Sequence, residues 1–289
     1  MAAAAFLHQI YYSDATRANL DPGFIPLDNL ANERPDWREY WPMRRFLLEH
    51  AGRMDESAFY GFFSPKFGEK TGMTANDAHE FITSVQHHTD VVLFPPFFDQ
   101  GACYLNVFEQ AISHHRGFFP TFKAAVDHIA PGVAIESLIT DSRNTVFSNF
   151  FAARPRFWRD WLAANEVLFA IAESREGELA QSLNAEAPYK SGTGPVAAKV
   201  FMMERVATLL LTTQRDWRVA VRDPMAAPEE PLFAPYRAEL IAMDALKIAA
   251  SLRGASGYLQ TFRRLQQYIA QSSRARFELR EESRQASGE

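Results

Sequence analysis

The chain has 289 residues, 47% of them hydrophobic and 22% charged, a balance that fits a globular protein with one large domain or two small ones. A formal net charge of −5 argues against non-specific nucleic-acid binding, and a single cysteine, Cys103, excludes an internal disulfide and a multi-cysteine zinc site. A reduced, cytoplasmic setting follows from that cysteine usage, and the N-terminus shows neither a basic region nor a long apolar run of a signal peptide.

Phe6 to Tyr12 predicts a strand, followed by a polar stretch from Ser13 to Asp36 that contains a short apolar run ending in Asp28-Asn29. Trp37, Tyr40, Trp41, Leu47 and Leu48 share one helical face. Phe59 to Phe63 is a second strand, stopped by Ser64-Pro65-Lys66, and Thr74 is placed to cap a helix carrying Ala78, Phe81, Ile82 and Val85. Asp90 introduces a third strand, Val91 to Phe94, ended by Pro95-Pro96. Leu105 to His115 and Thr121 to Ile129 read as helices, Thr145 to Ala152 as a fourth strand, and Pro155 opens a long helix to about Glu173. The remainder reads as helical apart from a proline-rich connector at Asp223 to Pro235. The apolar helix near Val200 to Leu211 is too short to span a bilayer, and Arg274 to Glu289 is expected to fray.

Strands alternating with helices predict an α/β sheet domain over residues 1–212, a helical region over 213–273 and a disordered tail over 274–289. In such sheets ligands bind at the carboxyl ends of the strands. Tyr12, Asp28-Asn29, Ser64-Lys66 and Ser148-Asn149 lie at or near such ends, each readable as a ligand contact or as a solvated turn. Asn106, Gln110 and His114, with Glu109 beside them, share a polar helix stripe that is either solvated surface or a cleft wall. His87-His88 and His114-His115 cannot easily chelate one ion, because neighbours on a helix diverge by about 100°. Asp141 is readable as a base or a turn cap. The Glu204-Arg205 pair inside an apolar helix faces either water, a site or a partner charge. Phosphate-loop, dinucleotide, zinc-protease and serine-hydrolase signatures are absent.

Several segments together resemble the small GT-A-like glycosyltransferases of bacterial capsule and O-antigen (lipopolysaccharide) clusters, over roughly residues 6 to 212. They are Asp28-Asn29 with Pro35-Asp36-Trp37-Arg38-Glu39-Tyr40-Trp41-Pro42, the run FYGFFSPKF, Asp90-Val91-Val92-Leu93, NVFEQAISHH, SNFFAARPRFWRDWL and FMMERVATLLL. The resemblance implies a GT-A-like, Rossmann-type mixed sheet flanked by helices with a C-terminal helical appendage. It implies sugar transfer from a phosphate-linked donor to a glycan acceptor, lipid-linked acceptors included, at the cytoplasmic side of the inner membrane. Donor contacts would come from Tyr12, Asp28, Asn29, Ser64, Lys66 and Asp90, and acceptor contacts from Gln110, His115, Asn149, Glu204 and Arg205. Asp141 or Glu109, helped by His114, would be the general base. Partners would include a second copy or a membrane-associated assembly complex, and no nucleic acid. The metal-binding Asp-x-Asp common in GT-A enzymes is missing from every strand end, so a divalent Mg or Mn ion has no evident ligand set, and Lys66 stands where that motif would be. The rival expectations are a catalytically inactive glycan-binding or scaffold protein and another phosphosugar transferase.

Overall fold

A computed structural model describes residues 4–50, 52–114, 117–187, 195–214, 216–254 and 256–287. Six strands form one mixed sheet: β1 (Ala5–Tyr11), β2 (Ile25–Asp28), β3 (Phe59–Phe63), β4 (Val91–Leu93), β5 (Phe151–Ala153) and β8 (Val219–Val221). Their order is β2-β1-β3-β5-β4-β8. All run parallel except β5, which is antiparallel to both neighbours. A short ribbon, β6 (Glu186–Ala187) with β7 (Val196–Ala197), stands apart from it. Because β5 points the other way, its start lies at the same sheet edge as the ends of β1, β2, β3 and β4.

The helices are α1 (Asp14–Ala18), α2 (Tyr40–His50), α3 (Phe67–Thr71), α4 (Ala75–Val85), α5 (Phe98–Cys103), α6 (Val107–His114) and α7 (Phe119–Ile129). They continue with α8 (Pro155–Ser174), α9 (Gly177–Asn184), α10 (Ala198–Met203), α11 (Val206–Thr213), α12 (Arg237–Arg253) and α13 (Ser256–Ser287). Among the described residues, no helix is long and apolar enough to cross a membrane.

The sheet is covered on both faces, and β3, β4 and β5 carry no polar residue at any position. On β3, Tyr60 and Phe62 pack into the layer of α2, α6, α7, α8 and α11, and Phe59 and Phe63 into the layer of α3 and α4. Gly61 between them is required by space: a Cβ there would lie 2.9 Å from the Phe63 ring and 3.0 Å from Leu7 Cδ2. A third cluster joins α5 to α12 and α13 through Cys103, Phe233, Met243, Phe262 and Ile269, building the C-terminal helical unit.

The second expected strand is found at its expected residues, and Thr74 caps α4 in a reciprocal box with Asp77. Three expectations are corrected. The strand foreseen over Thr145 to Ala152 shrinks to Phe151–Ala153, because Ser148 and Asn149 take left-handed backbone angles that a strand cannot hold. The sheet also extends past residue 212, since β8 pairs with β4 from inside the stretch expected to be helical. Finally, α13 continues to Ser287 through the stretch expected to fray.

Candidate functional site

A two-lobed cleft opens at the edge where β1, β2 and β3 end and the Ser148-Asn149 turn leads into β5. The first lobe, about 230 Å³, is lined by Ile10, Tyr12, Asn29, Asn32 and Pro35. The second, about 40 Å³, is lined by Ser64, Lys70, Ser148, Asn149 and Glu204, with Trp37 and Tyr40 behind them. Arg38 and Glu39 line both lobes, so the two adjoin along that pair.

The strip carrying Arg38 and Glu39 is pinned from outside the cleft. Trp37 Nε1 donates to Glu173 at 3.1 Å and the Tyr40 hydroxyl to Glu166 at 2.9 Å. Beneath it, the buried Lys199 ammonium donates to Asp36 at 2.5 Å and to Asn184 at 2.9 Å, and lies 4.2 Å from the Trp37 ring centroid. Those anchors hold Arg38 at φ 49° and ψ −135°, a region that residues with a Cβ rarely occupy. Of the five non-glycine residues with positive φ among the described residues, four line this cleft: Asn32, Arg38, Ser148 and Asn149. Strained backbone of this kind concentrates where a site must present groups in a fixed geometry.

Two asparagines at the cleft are buried with an amide oxygen that has no hydrogen-bond partner among the described residues. Asn29 is 4% and Asn149 5% exposed, and the Oδ1 of each is unpaired. A buried, unsatisfied acceptor costs free energy unless a ligand or water donates to it. Besides Arg38 and Glu39, the second lobe carries the ionic groups Lys70 and Glu204. Lys70 Nζ donates to Ser148 Oγ at 2.9 Å and lies 5.6 Å from the Phe97 and Phe150 ring centroids. Burial pushes the Glu204 carboxyl above the ordinary glutamate range, the negative charge of Glu39 adds to that, and Arg205 and Lys70 oppose it.

Of the residues singled out in the sequence, Tyr12, Asn29, Ser64, Ser148, Asn149 and Glu204 meet at this cleft. Asp28, Lys66, Asp90, Glu109, Gln110, Asp141 and Arg205 are not among its lining residues. Asp28 is exposed beside Asn29 and accepts from Leu30 N at 2.8 Å, the contact that chiefly holds its carboxyl below the usual range. Lys66 is exposed at the start of α3, and Lys70, one helical turn later, is the lysine that reaches the cleft. Asp90 precedes β4, at the opposite end of the sheet, where Arg218 grips it at 2.8 and 2.7 Å.

The residues expected to act as bases are engaged elsewhere. Asp141 is fully buried and holds the Arg143 guanidinium at 2.9 and 2.8 Å, a turn cap rather than a cleft group. Glu109 accepts from Arg263 at 2.7 Å and Gln266 at 2.6 Å, tying α6 to α13. Gln110 accepts from Arg205, which also donates to the Val107 and Phe201 carbonyls. Glu204 and Arg205 therefore part company, the acid in the cleft and the base in the core. His114 ends α6, its side chain lies outside the described residues, and so does His115 entirely.

Arg38, Glu39, Asn32 and Lys70 were not singled out as site residues. The only sequence signal for the first pair was two charges set between Trp37 and Tyr40, and for Lys70 its spacing of one helical turn from the strand end. Among the described residues, no group of three or more His, Cys, Asp or Glu could hold a metal ion. Comparison of this chain with protein-family models, with curated proteins and with solved structures finds no match.

Proposed function

We propose that the chain transfers a sugar from a phosphate-linked donor to a hydroxyl of a glycan acceptor, in bacterial surface polysaccharide assembly. The observation that carries this reading is the pairing, in one cleft at the ends of parallel strands, of a lysine with a carboxyl of raised proton affinity. The GT-A resemblance of the sequence agrees with a mixed sheet flanked by helices.

In this reading the larger lobe takes the activating part of the donor, and its phosphate lies towards Arg38 and Lys70. The acceptor oxygen attacks the anomeric carbon, the bond from that carbon to the phosphate oxygen breaks, and the electron pair leaves with the phosphate. Lys70, a compact point charge in a partly dry lobe, neutralises the departing phosphate. Glu204 accepts the proton of the acceptor hydroxyl. The base role thus falls to Glu204 rather than to Asp141 or Glu109, and the cationic role to Lys70 rather than to Lys66.

The test is turnover of a panel of activated sugars by the purified protein, with and without chelator. Glu204→Gln is expected to lower transfer by roughly 10²–10⁴-fold. Lys70→Met should lower it by roughly 10²–10³-fold. The rate of the parent protein should fall with acid at a pH above the ordinary glutamate range. Undiminished transfer by Glu204→Gln would overturn the assignment. Strict dependence on an added divalent ion would overturn the lysine's role. No turnover with any donor, together with thermal stabilisation by glycan fragments alone, would favour the glycan-binding rival.

A further inference from the structure

Helix α12 is apolar on its outward side as well as on the buried side where Leu240, Met243 and Ala250 pack. Its buried face carries Asp244, which accepts from Ser142 N and Oγ at 2.9 and 2.5 Å, and Lys247, which is wrapped in backbone carbonyls. The central arc of its outward face carries only Ala, Ile and Leu. At 3.6 residues per turn, positions 238, 241, 242, 245, 248, 249 and 252 fall within an arc of about 120°. An apolar arc of that width ordinarily faces a core. Here Leu252 is 70% exposed and Ile241 41%, and Ala238, Ala242 and Ala245 are exposed beside them. The nearest charges, Arg237 and Arg253, border the arc without entering it, and the next, Asp244, is buried.

The order of sizes along the arc is the second observation. Reversed about Ala245, every bulky position meets a small one: Ile241 meets Ala249, Ile248 meets Ala242, and Leu252 meets Ala238. We propose that this face is the contact between two copies of the chain, α12 packing antiparallel on α12 about a two-fold axis through Ala245. A two-fold contact requires one surface to be complementary to itself, and this surface is. Bulky-against-small pairing lets the two helices approach closely over four turns, about 21 Å from Ala238 to Leu252. A lipid surface would place no such demand on the order of sizes. The axis also brings Arg237 towards Arg253 of the second copy, and Arg237 is already ion-paired with Glu229, so that end carries a compensating negative charge.

This inference does not depend on the transferase reading, and its test needs no activity. Sedimentation of the full chain over a dilution series should show a reversible dimer. Ala245→Glu sets two carboxylates on the axis and should give a monomer. Its far-UV circular dichroism should match that of the parent, since residue 245 is exposed. Ala245→Cys should cross-link to itself under mild oxidant while the parent does not, because Cys103 is buried. A parent protein monomeric at every concentration overturns the proposal. So does a dimer that survives Ala245→Glu and fails to cross-link through Ala245→Cys. Binding of the parent, but not of Ala245→Glu, to uncharged phospholipid vesicles without any dimer would assign the face to a membrane instead.

Discussion

Lys247 ties the C-terminal helices to the sheet domain, and its removal gives the sharpest test of how the molecule is held together. The ammonium is fully buried and donates to the carbonyls of Gly101 at 2.5 Å, Tyr104 at 2.9 Å and Thr140 at 2.7 Å. An ammonium has three protons for three acceptors, so every donor is used. Burial lowers its pKa to about 8, opposed by Asp244 and Asp141, which shows the cost of keeping the charge inside. Lys247→Met keeps most of the stem and removes the charge. It leaves three buried carbonyls without this donor, at about 1–3 kcal/mol each. Relief of the buried charge offsets part of that sum, so the net loss is about 3–5 kcal/mol. For a chain of this size that lowers the thermal midpoint by about 10 °C. Differential scanning calorimetry of both proteins at pH 7 measures it. A variant within about 1 kcal/mol of the parent would refute the reasoning, because the carbonyls would then be satisfied without the lysine.

Three further outcomes follow from the same physics. His8 is buried against Phe62 and Phe46, and burial lowers its pKa from 6.5 to about 4. Between those values the unfolded chain binds a proton that the folded chain refuses, so stability falls as pH drops from about 6.5 to about 4, by at most about 3 kcal/mol. His8→Leu should flatten that part of a urea-denaturation profile against pH; an unchanged slope would count against it. Glu204→Gln should unfold at a higher temperature than the parent at pH 8, since its folded carboxyl has raised proton affinity and its ionised form is costly to bury. An equal or lower melting temperature would contradict that. Gly61→Ala should lose about 1–3 kcal/mol by overpacking, because the fully buried Phe63 and Leu7 have no room to withdraw. Chemical denaturation reads this directly, and a neutral effect would contradict the packing argument.

The fold was legible where a strand buried on both faces is an unbroken apolar run closed by polar residues at its end. Phe59–Phe63 could be delimited to the residue for that reason. β8 could not, since Val219–Val221 is three half-buried residues at the sheet edge, joined to the rest only by pairing with β4. Ser148-Asn149 misled for a local reason: apolar neighbours suggest a strand, while the left-handed angles come from tertiary anchoring that no propensity records.

The site divides along the same line. Tyr12, Asn29 and Ser64 follow strand ends, and the rule that ligands meet the carboxyl ends of parallel strands needs only chain order to point at them, whereas Asn149 joins them because β5 runs antiparallel. Lys70 and the Arg38-Glu39 pair reach the cleft through the rotation of a helix and the pinning of a strip by Glu173, Glu166 and Lys199, contacts 126 to 163 residues apart in sequence. Charge type is equally blind to engagement. Asp141, Glu109 and Asp90 look like acids available for chemistry, and each is already held by an arginine. Glu204 has the same carboxyl with no arginine holding it in a salt bridge among the described residues, and burial raises its proton affinity instead. In the proposed transfer, what would separate a structural acid from a proton acceptor is the arginine that grips it, and that is decided by which helices pack together.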